Sequence, residues 1–234
     1  MKRIICSFAI LFLLFTFVNL RIEALAAETE FLVEDLSTEE KDKFIEYVDM
    51  SFLSEEQEKK AIDSFSVSAN GLIAIGYRNF DCKIVCIYDL EGVYQYGYKF
   101  KYPGAIILEF CEETLNVVFL RSDVVISFDQ DGTLVEINRL CDANENVLHK
   151  NKILNSTVQE VNGDRYSITK DMGFLNLFTS SYSQLTVERT DGTKSIIYDV
   201  SSAHFLSTLV LFIGIFLLVS LSLIGVIKAF RKLK

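Results

Sequence analysis

The stretch that decides the fold is residues 84–100, which read IVCIYDLEGVYQYGYKF. An apolar run ends in Tyr88-Asp89, a glycine follows at position 92, and a second run is rich in aromatic residues. Two such runs separated by a short segment with Gly are typical of a β-hairpin, because Gly adopts the positive φ that tight turns need. The stretch therefore predicts two antiparallel strands joined by a turn at Gly92.

The same pattern returns twice further along the chain. A shift of 40 residues places residues 124–129 over residues 84–89 and Gly132 over Gly92. A looser third copy lies 60 residues beyond the second, with a run over 184–189 and a turn at Asp191-Gly192. Repeats at a fixed period indicate that one supersecondary unit is used several times.

The repeats predict the fold class and its boundaries. We predict a mainly β domain over residues 64–204, built as an antiparallel meander of about three four-stranded repeats. The extra residues between the second and third copies fall around 141–153, which is polar and predicts an inserted loop or a short helix. Each repeat resembles one blade of a β-propeller, without the Gly-His and Trp-Asp signatures. Propellers typically have four to eight blades, so three repeats form either an open meander or sandwich, or a ring completed by a second protomer.

The acidic stretch 27–63 that precedes the repeats carries helix signals. Ser37-Thr38-Glu39-Glu40 has the pattern of a capping box, and the apolar residues after it are spaced as on one helical face. We also predict a second short helix over 54–62. The alternative for the whole stretch is a solvated, charged linker.

The N-terminus predicts export. Residues 1–26 combine a basic start, an apolar run and the small-residue site Ala24-Leu25-Ala26, which is the pattern of a secretory signal peptide cleaved after Ala26. An uncleaved signal anchor is the alternative, because the apolar run is nearly long enough to span a bilayer.

Residues 205–227 form an uncharged apolar run near the C-terminus. A helix of 23 residues is about 34 Å long, enough to cross a hydrocarbon core of about 30 Å. The tail, 228–234, carries four positive charges and no negative one. The positive-inside rule places this tail in the cytoplasm and residues 27–204 outside the cell membrane. Small residues on one side of the helix predict a face for self-association: Ser207, Gly214, Ser222 and Gly225.

These features together resemble a group of uncharacterised membrane-anchored proteins of low-GC Gram-positive bacteria. The resemblance rests on the signal peptide, on AIDSFSVSANGLIAIG and VVFLRSDVVISFDQDG together with the opening stretch, and on the C-terminal span. It covers nearly the whole chain. It implies a single-pass protein with an extracytoplasmic β-repeat domain, and it implies no particular activity.

Charge limits the partners of the exported part. The terminal segments hold seven of the 23 Lys and Arg residues and one of the 32 Asp and Glu residues, which leaves 16 positive and 31 negative charges in residues 27–204. Nucleic acids and anionic lipid headgroups select basic surfaces, so we expect no nucleic-acid partner. Four cysteines fall in this part, and a bridge between two of Cys82, Cys111 and Cys141 is permitted in an exported chain. Cys86 aligns with Ile126 and is predicted to be a buried apolar residue.

Residues 93–102 alternate aromatic and non-aromatic positions. Side chains of a strand point alternately to opposite faces, so we predict that five rings share one face: Tyr94, Tyr96, Tyr98, Phe100 and Tyr102. Such a face is either part of the core or a surface that binds a glycan or an extended peptide.

Motifs for chemistry are scarce. Asp129-x-Asp131-Gly132 lacks the later ligands of a calcium loop and predicts a hairpin turn. Cys82 and Cys86 have no second pair at a zinc-like spacing, and no motif surrounds His149 or His204. We therefore expect no catalytic residue, metal or cofactor. The leading hypothesis is a membrane-anchored binding or assembly module whose partner is an extracytoplasmic protein or glycan. One alternative is a glycan- or peptide-binding surface on the five rings of residues 94–102, which we call the tyrosine ladder. The other is a hydrolase whose carboxylates come together only in the folded chain.

Overall fold

The computed structural model describes residues 29–171, 173–179 and 181–232. The predicted signal peptide, 1–26, lies outside these residues. Within them the chain is mainly β and forms three antiparallel sheets with three α-helices. The predicted fold class is therefore confirmed.

The N-terminal segment adds short elements to the sheets that follow. Its elements are β1 (Val33–Asp35), α1 (Thr38–Val48) and β2 (Ser51–Leu53). The capping box forms as predicted, since the Glu40 N–H donates to the Ser37 hydroxyl and the Ser37 N–H donates to the Glu40 carboxylate. The prediction of a helix over 54–62 is wrong. Residues 54–61 form no helix, and the Tyr198 hydroxyl accepts from the N–H of Lys60 and donates to its carbonyl, so tertiary contacts hold the backbone there.

Each meander pairs four strands in chain order. In the first sheet β2 pairs with the fourth strand of the meander, and in the second sheet β1 does the same. The first meander comprises β3 (Ile62–Val67), β4 (Ile73–Asn79), β5 (Cys82–Tyr88) and β6 (Tyr94–Lys101). The second comprises β7 (Ile106–Cys111), β8 (Thr114–Phe119), β9 (Val124–Phe128) and β10 (Leu134–Leu140). The third comprises β11 (Val158–Val161), β12 (Asp164–Thr169), β13 (Gln184–Glu188) and β14 (Lys194–Asp199).

The turn between the third and fourth strands is the same in all three meanders. Gly92, Gly132 and Gly192 have φ values of 80°, 82° and 82°. Each glycine N–H donates to the carbonyl three residues earlier, which belongs to Asp89, Asp129 or Arg189. Gly supplies this left-handed conformation without a Cβ clash. The repeated hairpin turn that the sequence predicts is therefore also repeated in the structure.

The three sheets pack face to face, with the first meander in the middle. β4 and β5 are buried along almost their whole length, because one face packs on the second sheet and the other on the third. Tyr98 stacks on Phe128 across the first interface, with ring centroids 4.1 Å apart. Tyr88 meets Tyr198 edge-on across the second, at 5.9 Å. Burial of these rings together with the aliphatic side chains around them stabilises the packing of the sheets.

Helices complete the structure at both ends of the stack. α2 (Asn144–Asn155) is the predicted insertion between the second and third meanders, and it covers the outer face of the second sheet. A 3-10 helix (Gly173–Phe178) lies in the third meander, between β12 and β13. α3 (Ser201–Lys232) follows β14, and residues 201–220 of it are long and apolar enough to cross a membrane, with a mean hydropathy of 2.3.

Candidate functional site

The first strand of every meander lies at the edge of its sheet, and these three edges converge. β3 contacts both β7 and β11. The Phe110 N–H donates to the Ser66 hydroxyl at 2.8 Å, and the Val67 N–H donates to the Gln159 side chain at 2.9 Å. A cleft of about 460 Å³ opens where the edges meet, lined by β3, β7, β11, α2 and Glu30. Its volume lies within the range of small-ligand pockets, about 300–1,000 Å³.

Glu109 is the buried charge of this cleft. It lies in the middle of β7, pairs with Asn116 of β8 in the sheet, and is only 8% exposed. Its Oε2 atom is buried and has no hydrogen-bond partner. Burial raises the pKa of the Glu109 carboxyl, against a smaller opposing effect of His149. A carboxylate held this way is costly unless a partner or a cation compensates it.

His149 projects from α2 onto Glu109. Its Nε2 atom makes a short hydrogen bond with Glu109 Oε1, and its Nδ1 atom lies 3.5 Å from Oε2 of Glu30. The Phe31 ring packs edge-on against the imidazole, with centroids 4.6 Å apart. The imidazole therefore stands between two carboxylates, one buried and one exposed.

Asn146 positions the N-terminal segment that carries Glu30. Its side chain accepts from the Leu32 N–H and donates to the Leu32 carbonyl, both at 2.8 Å, and it also donates to the Cys141 carbonyl at 2.9 Å. Asn146 is almost wholly buried, and every one of these bonds is internal. One turn of α2 thus fixes both His149 and the backbone next to Glu30.

The charges around the cleft are mostly negative. Glu30, Glu109 and Glu160 line it, against Lys152 and the imidazole of His149. One donor atom from each of Glu30, Glu109 and His149 lies within 4.8 Å of the other two. Two carboxylates and an imidazole at this spacing can bind a cation or hold a proton between them.

The tyrosine ladder does not form one face. Tyr98, Phe100 and Tyr102 are buried in the core between the first and second sheets, and Tyr96 packs against the same core. Tyr94 packs in the other core, because Ile87 pairs with Tyr96 whereas Tyr88 pairs with Tyr94. This β-bulge leaves one residue of β6 unpaired and turns Tyr94 to the opposite side. The prediction of five rings on one face is therefore corrected.

The hydroxyls of the ladder are used inside the protein. Tyr94, Tyr96 and Tyr98 donate to the carbonyls of Leu53, Gln130 and Gly132 at 2.7 to 3.0 Å. Burial raises the pKa of Tyr94 and of Tyr96 to about 12. Of the two hypotheses for the ladder, these contacts support the core.

The cysteines do not bridge in this structure. Cys82 and Cys141 are free thiols, and each of the three permitted bridges needs one of them. β7 and β10 are three strands apart in an antiparallel sheet, so Cys111 and Cys141 lie at opposite ends of it. Strand spacing alone separates them by about 14 Å, whereas a disulfide needs Cα atoms within about 7 Å. Cys86 is fully buried, as predicted.

The remaining predicted residues have structural roles in the described part of the chain. Asp129 Oδ1 accepts from the N–H groups of Asp131 and Thr133, which closes the predicted hairpin turn. Ser207, Gly214, Ser222 and Gly225 lie on α3, and the hydroxyls of Ser207 and Ser222 bond to carbonyls of their own helix. Self-association through this face stays a prediction.

The cluster of Glu30, Glu109 and His149 was missed from the sequence. His149 lies 40 residues from Glu109, and no local motif links the two. One signal was present: Glu109 interrupts the apolar run Ile106-Ile107-Leu108 before Phe110. A charge inside a strand that is otherwise apolar indicates a buried partner or a site.

Comparisons with known proteins do not assign this chain to a family. No protein-family model matches the chain, and no curated protein matches it. Among solved structures, the crystal structure of Saccharomyces cerevisiae Sqt1 is 17% identical over 59% of this chain, with a TM-score of 0.28. The match spans 31% of the length of Sqt1, and a likeness at that TM-score carries no argument about fold or function.

Proposed function

We propose that this chain is a membrane-anchored extracytoplasmic binding module, and that its ligand binds in the cleft between β3, β7 and β11. The observation that carries the proposal is the carboxylate–imidazole pair of Glu109 and His149 in a cleft of about 460 Å³. Most buried polar groups are fully paired inside proteins. A buried carboxylate oxygen without a partner, at a cleft of ligand size, marks a binding site.

The proposed topology rests on both ends of the chain. The apolar part of α3 has none of its span buried against the described domain, as expected of a helix that faces lipid. The basic tail favours a cytoplasmic C-terminus. With the signal-peptide pattern at the other end, the β domain and its cleft face outward in this proposal. The same arrangement follows from the resemblance to membrane-anchored proteins of low-GC Gram-positive bacteria.

We propose a binding module and not a hydrolase because of the chemistry that the cleft offers. Glu109 is bonded to the imidazole, and the second carboxylate near it, Glu30, contacts the other nitrogen of the same ring. Both carboxylates are therefore committed to one imidazole. A general acid and a general base would each need to face a substrate separately.

Site-specific photocrosslinking in cells tests the ligand site. A photoreactive amino acid replaces Glu160, which lines the cleft, or Lys194, which lies on the exposed hairpin between β13 and β14. In the full chain we expect adducts of defined mass on the peptide that contains position 160 and none of that mass at position 194. His149→Gln should remove them. The same adducts at both positions, or at neither, would contradict the proposal.

A further inference from the structure

The first inference concerns the charge of the cluster in the cleft. Two carboxylates face one imidazole, so with both carboxylates ionised the cluster has a net negative charge whether or not His149 is protonated. Lys152 lines the same cleft, but it is not among the bonded partners of Glu109. The buried Oε2 of Glu109 has no hydrogen-bond partner, although Glu109 is more than nine-tenths buried. A divalent cation bound with neutral imidazole would cancel both carboxylate charges and coordinate this oxygen.

The donor set selects the kind of cation. Mg²⁺ and Ca²⁺ prefer sites built wholly from oxygen, whereas an imidazole nitrogen beside carboxylates suits Zn²⁺ and related transition metals. We infer that Glu30, Glu109 and His149 bind one Zn²⁺-class ion and leave a coordination position open to the cleft. With three protein ligands, a tetrahedral zinc ion keeps one position at which a ligand in the cleft can bind. This inference rests on the proposed role of the cleft as the ligand site.

The geometry requires only a small adjustment. Two donors of a tetrahedral zinc ion are about 3.4 Å apart, since each bond is about 2.1 Å long. The three donor atoms already lie within 4.8 Å of one another. Glu30 is the ligand that closes this gap, because its side chain is 61% exposed, and the ion replaces the hydrogen bond between Glu109 and His149. Glu109 and His149 are held by β7, by α2 and by the ring of Phe31.

Zinc titration of the purified full chain in detergent, against a fluorescent chelator, tests the inference. We expect one ion per chain at micromolar affinity or tighter, and no displacement by excess Ca²⁺. His149→Gln and Glu30→Gln should each weaken binding by more than about tenfold. Glu30→Gln changes an exposed side chain, so its effect is independent of folding. The matched control Glu160→Gln alters another carboxylate of the same cleft and should bind zinc as the wild type does.

Three results would overturn the metal site: no stoichiometric zinc binding, equal binding by Ca²⁺, or wild-type affinity in both ligand variants. Any of them would leave the photocrosslinking test of the cleft untouched, because crosslinking reports the ligand at position 160 and not the metal. The two experiments therefore distinguish an incorrect metal site from an incorrect ligand site.

A second inference comes from the end of the domain where α3 begins. Phe80, at the tip of the β4–β5 hairpin, is 93% exposed and has a φ of 55°. Tight turns need a positive φ, but a bulky residue such as Phe is strained there, so its presence at this tip calls for a reason. Leu177 of the 3-10 helix is 85% exposed. Both are large apolar side chains that make almost no contact with their own domain.

Residues next to Phe80 and Leu177 in the chain lie at the start of α3. Arg78, two residues before Phe80, lines a cavity together with His204 of α3. Thr179, two residues after Leu177, hydrogen-bonds to the same His204 at 3.2 Å. We infer that Phe80 and Leu177 insert into the headgroup region of the bilayer that α3 enters, and so fix the tilt of the domain. This inference depends on α3 as a membrane anchor and is independent of the cleft.

A single tryptophan tests this contact, since the chain has none of its own. Phe80→Trp is placed in the full chain, which is reconstituted in phosphatidylcholine vesicles with lipids brominated near the headgroup. The matched control is Leu148→Trp, on the exposed side of α2, which the stacked sheets separate from α3. We expect the lipid to quench the emission of the first variant and not the second. Equal quenching of both, or none at position 80, would overturn the inference.

Discussion

Glu109 and His149 are 40 residues apart in the sequence, and the fold joins them by a short hydrogen bond within the cleft. Glu109 comes from the edge strand of the second meander, and His149 comes from the helix inserted after that meander. Neither residue has a role in closing a turn or capping a helix. The inserted helix therefore brings an imidazole to a buried carboxylate at the junction of three sheets.

The first prediction concerns the pH dependence of stability. Burial raises the pKa of Glu109 above its ordinary value of 4.5, so the folded chain keeps this proton to a higher pH than the unfolded chain does. The stability linked to this proton is complete below the ordinary pKa and is lost as pH rises through the raised pKa. We expect the free energy of unfolding of the wild type, measured relative to Glu109→Gln, to fall across that window.

Denaturant unfolding at a series of pH values measures this difference. Glu160→Gln is the control, because this change removes an exposed carboxylate from the same cleft. Its stability should run parallel to that of the wild type at every pH. A difference between wild type and Glu109→Gln that is constant with pH would show that Glu109 titrates normally.

The second prediction concerns Asn146. Asn146→Ala removes all three bonds to the backbone of Leu32 and Cys141. The two carbonyls keep a second donor, the N–H of Cys141 or of Ala143, whereas the Leu32 N–H loses its partner. We expect a loss of about 2–4 kcal/mol in the free energy of unfolding. Amide hydrogen exchange at Phe31 and Leu32 should become faster. Asn151→Ala, on the exposed side of the same helix, should change stability by less than about 0.5 kcal/mol.

The third prediction separates the two hypotheses for the tyrosine ladder. Tyr98 is 2% exposed and stacks on Phe128, so Tyr98→Ser should cost about 3–5 kcal/mol. Tyr96 is half-buried, and Tyr96→Ser should cost about 1–2 kcal/mol. Thermal unfolding measures both. Equal, small effects would mean that the ladder is a surface.

The fourth prediction compares two glycines of the repeated turn. Gly92→Ala and Gly192→Ala both place a Cβ in the left-handed region, which costs about 1–2 kcal/mol. At position 92 the new Cβ would also lie 2.8 Å from the carbonyl oxygen of Ile197, whereas position 192 is open. Gly92→Ala should therefore lower the melting temperature further. Equal shifts would rule out this packing contact.

The sequence predicted the hairpins because their cause is local. Gly92 and Gly132 need a left-handed backbone, and the Asp at the start of each turn bonds the N–H groups that follow it. The capping box at Ser37 is local in the same way. Elements that depend on residues close together in the chain can therefore be predicted from the sequence alone.

Elements that depend on tertiary contacts could not be predicted from the sequence. The stretch 54–62 has helical signals, but the Tyr198 hydroxyl bonds both backbone groups of Lys60, and the Tyr94 hydroxyl bonds the Leu53 carbonyl just before the stretch. The bulge that turns Tyr94 away from its neighbours arises from pairing with β5. The cluster in the cleft combines residues from the N-terminal segment, β7 and α2, which only the packed sheets bring together.

The central claim is that α3 anchors the chain in the membrane and that the β domain, with its cleft, lies outside the cell. Thiol labelling of intact cells with a membrane-impermeant reagent tests it most directly, with the wild type as background for native cysteines. Glu160→Cys, in the cleft, should be labelled in intact cells, whereas Ala229→Cys, in the basic tail, should be labelled only after permeabilisation. Labelling of the tail in intact cells, with a cleft that reacts only after permeabilisation, would contradict the account.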